Sequence, residues 1–168
     1  MPPVSGRRAV RAYSAAVDVR AELDAPCPPA QLFAWVDDLA DYPSWMRLAH
    51  RVDAAPPDEE VDGGGPAWQV ELRTRLGPLA RSKRLRMVRT RHEPTELVVF
   101  ERRETDRRRH SPWVLTARTV AAGEGSQLRV HLHYGGGLWT GGVLERALAD
   151  EIERGRERLI ELVSEPRR

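Results

Sequence analysis

Lysine is almost missing from this sequence. Of its 27 basic residues only Lys83 is a lysine; the rest are arginine. Cysteine is reduced to one residue, Cys27, which excludes an intrachain disulfide and a cysteine-based metal site. A single cysteine also fits a reducing, cytoplasmic setting. Nowhere do 18 apolar residues follow one another, so no membrane-spanning helix is expected. The arginine-bearing N-terminal segment lacks the apolar stretch of a secretory signal. A strong charge of either sign is missing too: 27 basic and 25 acidic residues leave +2. That excludes a polyanion-binding tail and a disordered acidic chain.

What is present is one domain's length of chain, 168 residues with 40% apolar content and no solenoid-like repeat. Residues 1–12, rich in Pro, Gly and Arg, read as a loose tail, leaving 13–168 as a single domain. Over Ala16–Leu23, Val17, Val19, Ala21 and Leu23 alternate with Asp18, Arg20 and Glu22, the mark of a half-buried strand. Pro28 and Pro29 then open a short helix carrying Leu32, Phe33 and Val36. Pro43 breaks it and starts a second short helical piece at Pro43–Met46. Residues 54–66, with three prolines, three glycines and several acids, read as a loop. From Trp68 the period returns to two, with Trp68, Val70, Leu72, Thr74 and Leu76 on one face. Gly77–Pro78 marks a turn, and further strands follow near 80–91, 97–104, 112–120 and 127–134. From Leu138 to Ser164 the pattern is helical. Leu144, Leu148, Ile152, Gly155, Leu159 and Leu162 form one stripe on a helix of roughly 40 Å.

The order strand, two short helices, strands, long helix predicts an α+β fold. About six or seven strands would form a curved antiparallel sheet around the C-terminal helix, and a gap between the two would make a ligand cavity. The segments APCPPAQLFAWVDDLADYPSWM, WQVEL and YGGGLWTGGVLERALADEIERGRERLIELV carry a resemblance. Through them the chain resembles the START-like, helix-grip (SRPBCC) superfamily, in its polyketide cyclase/dehydrase and coenzyme-Q-binding branch, over about Ala16–Glu165. The resemblance implies an apolar small molecule bound without a cofactor, or an aromatase/cyclase acting on a poly-β-ketone chain. The fold alone hosts carriers, cyclases and hormone binders and does not choose among them.

The expected lining is Tyr42, Trp45, Met46, Trp68, Val70, Leu72, Leu85, Met87, Phe100, Trp113, Leu115, Leu144 and Leu148; the plainer reading of the same residues is core. Arg89 shares its strand face with Leu85 and Met87, so it either meets a ligand carbonyl or carboxylate at one end of the cavity or reaches solvent. In the cyclase reading, which rests on the resemblance, Arg89 would polarise a carbonyl and Tyr42 would position the chain or relay a proton. Gly155 serves either a close helix–sheet approach or a ligand. The glycine-rich run 135–142 lacks the lysine of a phosphate loop and reads as a hinge or a plain connection, with Thr140 as a helix cap. His131 and His133 share an outward strand face without a third ligand, so no metal is expected.

Charge is unevenly spread. Arg73–Arg109 holds 13 bases and five acids, and Asp37–Asp62 holds eight acids and two arginines. A basic strand face could meet RNA, a ribosome, an anionic membrane or an acidic carrier protein; no DNA partner is expected. Aromatic residues are not interleaved with these arginines, so a base-stacking platform is unsupported, and a solvated face beside the acidic loop is the plainer reading. The arginine excess covers the whole chain, which points to a general preference for arginine over lysine.

Overall fold

The computed structural model describes residues 16–62, 64–76, 79–136 and 143–165. The elements run β1 (Val17–Ala25), α1 (Pro29–Phe33), a 3-10 helix (Leu39–Ser44), β2 (Ala49–Asp58), β3 (Gly65–Leu76), β4 (Leu79–Glu93), β5 (Leu97–Arg102), β6 (Trp113–Ala122), β7 (Gly125–Tyr134) and α2 (Val143–Ser164). The tail at 1–12, the Gly77–Pro78 turn, the run 137–142 with Thr140, and the side chains of Thr74, Leu76, Leu144 and Leu148 lie outside the described residues.

All strands belong to one antiparallel sheet of order β1-β7-β6-β5-β4-β3-β2. The chain meanders from β2 to β7, and β1 closes on the free edge of β7, pairing Val17 with Tyr134 through to Ala25 with Ser126. The sheet curves around α2, whose 22 residues span about 33 Å. This is the helix-grip architecture.

Two expectations are corrected. The loop at 54–66 is largely strand: β2 carries Pro56 and Pro57 to Asp58, and β3 begins at Gly65. Prolines are tolerated here because β2 is an edge strand and its register slips between Ala55 and Asp58. The second helical piece precedes Trp45 instead of containing it. Asp38 caps it by accepting from the Ala40 N–H at 2.8 Å, and Pro43 lies inside. Pro29 does open α1 as its first residue.

The core fills the concave side. Leu32, Val36 and Phe100 are fully buried, with Leu85, Leu159 and Val163 nearly so. Gln31 of α1 donates to the Val163 carbonyl at 2.6 Å, tying the last turn of α2 to the start of the fold. Gly155 serves close approach: a Cβ there would stand 3.0 Å from the Trp45 carbonyl oxygen and 3.3 Å from its ring.

Candidate functional site

The inward residues of β4 read along the concave face in the order Lys83, Leu85, Met87, Arg89. Their register partners set the neighbours. Leu72 stands opposite Lys83, Val70 opposite Leu85 and Trp68 opposite Met87 on β3; Arg102 stands opposite Met87 and Phe100 opposite Arg89 on β5. A shift in register between Arg89 and Arg91 then changes the parity of the strand.

Between the ends of this row lies a cavity of about 60 Å³. Eight expected residues line it: Tyr42, Met46, Val70, Leu72, Leu85, Met87, Trp113 and Leu115. The sequence reading missed Leu39, Leu48, Ala49, Val130, Leu132, Glu151 and Ile152. The alternation of β7 held the signal for Val130 and Leu132, and the helical stripe held it for Ile152. Leu48 and Ala49 were hidden because β2 was not recognised as a strand.

A second space of about 210 Å³ lies between α2 and the β1–β7 edge, bounded by Leu23, Trp45, Leu128, Leu159 and the stems of Arg20 and Arg156. Met46, Val130 and Ile152 border both spaces. Trp45 therefore faces the outer groove, not the inner cavity. Trp68 and Phe100 lie beyond the cavity in an aromatic cluster: their ring centroids are 5.6 Å apart and nearly perpendicular, with Tyr42 6.2 Å from Phe100.

Arg89 and Tyr42 are both anchored to backbone. The Arg89 guanidinium donates to the Asp37 carbonyl at 3.2 Å and does not line the cavity. The Tyr42 hydroxyl donates to the Val36 carbonyl at 3.0 Å while its ring faces the cavity. Burial, and then the charges of Asp37 and Asp38, push the phenol far above its ordinary range, so it stays protonated. The two side chains thus fix adjacent carbonyls of the segment between α1 and the 3-10 helix.

The other end of the row is polar. Lys83 Nζ stands 5.2 Å from the Tyr134 ring centroid and 5.6 Å from that of Trp113. The two rings are 4.7 Å apart. Burial first, and Arg102 second, lower the Lys83 pKa from its usual 10.5, while Glu104 opposes them. Trp113 Nε1, the Tyr134 hydroxyl and Glu151 Oε2 are buried with no hydrogen-bond partner among the described residues. Gly136 passes directly over the Tyr134 hydroxyl, where a Cβ would stand 1.9 Å away.

Many of the strand charges are paired. Among the described residues of Arg73–Arg109, Arg84 meets Glu71, Arg86 Asp58, Arg91 Glu93, Arg102 Glu104 and Arg103 Glu101. His131 and His133 both bond Asp18, at 2.7 and 3.1 Å, and no cluster among the described residues could hold a metal. No described helix is long and apolar enough to cross a membrane.

No curated protein sequence matches the chain. Solved structures show the same fold. A START superfamily protein from Mycobacterium smegmatis superposes with a TM-score of 0.65 at 14% identity, over 89% of this chain and 97% of the other. TTHA0849 from Thermus thermophilus gives 0.64 at 18%, over 88% and 97%. The Zhui aromatase/cyclase from Streptomyces sp. R1128 gives 0.63 at 10%, over 89% and 94%. The family model described as polyketide cyclase / dehydrase and lipid transport matches residues 16–164, and the chain belongs to that family.

Proposed function

We propose that this protein binds an apolar small molecule between the sheet and α2. The observation that carries this reading is the inner cavity, walled by apolar side chains from β2, β3, β4, β6, β7 and α2 in the place where the chain would otherwise close its core. Filling such a space removes apolar surface from water at about 25 cal/mol per Å². At about 60 Å³ the cavity takes a short apolar group. A longer ligand would extend past Met46 and Ile152 into the outer groove.

The cyclase reading needs Arg89 and Tyr42 to act on a bound chain, and both already bond carbonyls of the protein. A binding role without chemistry therefore fits the geometry better. Native mass spectrometry of gently purified protein should show a bound apolar compound. Leu115→Trp, which fills the cavity, should remove that mass while leaving the circular dichroism spectrum intact. Undiminished ligand in the filled variant would refute the assignment of the site. A neutral poly-β-ketone analogue turned over by wild type but not by Arg89→Ala would favour the cyclase instead.

A further inference from the structure

Lys83 is the one lysine of the chain, and it sits at an unusual place for a lysine. It is on the inward face of β4, two residues before the cavity-lining Leu85 and opposite the cavity-lining Leu72. β5 ends at Arg102, opposite Met87, so no sheet neighbour stands beside Lys83 on that side. Its side chain instead reaches across to the rings of Trp113 on β6 and Tyr134 on β7, so its ammonium stands beside the cavity-lining Trp113 and not in the cavity wall itself. No carboxylate forms an ion pair with it among the described residues. The acid acting on it, Glu104, is already bound to Arg102 at 2.7 Å. Glu151, on the helix wall, pairs with the half-exposed Arg154 through Oε1 at 2.8 Å, and its Oε2 faces no partner among the described residues. Lys83 and Arg102 against Glu104 leave one positive charge unmatched.

A half-buried ammonium with ring faces but no acceptor among the described residues calls for an anion. A second observation points the same way. Trp113 lines the cavity, is 6% exposed, and its Nε1–H is buried without an acceptor among the described residues. A buried donor left unsatisfied is costly, and a ligand oxygen would relieve it.

We infer that the Trp113 end of the cavity, with Lys83 beside it, is a carboxylate subsite, and that the ligand is an amphipathic acid whose first apolar carbons lie among Leu85, Met87, Leu115 and Leu132 while the rest of its chain extends toward the outer groove. This rests on the cavity being a binding site and adds the class of ligand. The ammonium and the indole N–H would supply two donors to the carboxylate. Arginine could not serve as the same compact, rotatable point charge over two rings.

The test uses octanoate and octan-1-ol, which share a tail and differ in the head. Binding is read by titration of ¹⁵N-labelled full-length protein, following the indole N–H resonance that Trp113→Phe removes. Octanoate should bind at least about tenfold more tightly than octan-1-ol and shift that resonance. Lys83→Met should abolish the preference while keeping octan-1-ol binding. Equal affinity of the two probes for wild type overturns the carboxylate subsite and leaves the apolar cavity standing; this arm needs no variant. A preference that survives Lys83→Met also overturns it, since surface arginines would then be holding the acid. Binding of neither probe overturns the cavity reading together with the subsite.

Discussion

Replacing Arg86 with methionine tests how the outward face is built. Arg86 lies among a set of strand arginines, yet it is only 6% exposed. Its Nη1 bonds Asp58 at 3.2 Å and the Arg103 carbonyl at 2.9 Å, and its Nη2 bonds the Pro56 carbonyl at 2.9 Å. One guanidinium thus ties β4 to the edge strand β2 and to the segment after β5. Methionine keeps much of the volume and removes every donor. Breaking a buried pair at one partner costs about 3–5 kcal/mol. Asp58 is close to solvent, at 12% side-chain exposure, so water can recover part of its solvation. A loss of about 3 kcal/mol is expected, toward the low end of that range. With a urea slope of about 2 kcal/mol/M, the midpoint should fall by about 1.5 M. Unfolding followed by circular dichroism and tryptophan fluorescence measures this. Adding Asp58→Asn should cost much less in the variant than in wild type, because the partner charge is already stranded. A loss under about 1 kcal/mol, the most an exposed pair gives, would refute the claim that this guanidinium is a buried tie.

Three other outcomes follow from the structure. Gly155→Ala should gain about 1 kcal/mol of helix propensity but lose more to the Trp45 carbonyl 3.0 Å away, for a net lowering of the melting temperature in a thermal scan; a raised melting temperature would show that α2 does not rest on that carbonyl. Tyr42→Phe should cost about 1 kcal/mol in urea unfolding through the lost bond to Val36, without changing ligand affinity; a large fall in affinity would place the hydroxyl in the site. Hydrogen bonds from His131 and His133 hold the Asp18 carboxyl below its usual 3.8. Its folded value being depressed, its contribution is present above about 3.8 and is lost as pH falls through the lower folded value. The stability gap between wild type and Asp18→Asn should therefore shrink in acid below that point; a gap unchanged down to pH 2 in urea titrations would contradict it.

Much of the fold was legible because β1, β3 and β7 alternate cleanly and are long enough to show it. In β7 the inward Leu128, Leu132 and Tyr134 are buried while Arg129 is exposed. β2 was not legible, since an edge strand buries little and tolerates Pro56 and Pro57, which elsewhere signal a loop. The site was legible only by strand face. Parity placed Leu85 and Met87 inward, and the same parity carries Lys83, but a tally of charges along the chain grouped Lys83 with outward arginines. Which inward residue bounds an opening depends on where the neighbouring strand stops, and the end of β5 at Arg102 is a pairing property no local pattern contains. Arg86 shows the converse: its neighbours read as a solvated face, and only the fold of Pro56–Asp58 over it makes it buried.

The wall between the inner cavity and the outer groove, made by Met46, Val130 and Ile152, is one side chain thick. Its consequence is kinetic. Methionine is unbranched and changes rotamer easily, so a ligand could pass from groove to cavity by side-chain turnover alone. Exchange would then proceed while every strand pair and the packing of Leu159 and Val163 remain in place. Uptake and release would be uncoupled from unfolding, and residence time would be set by what holds the ligand at its two ends.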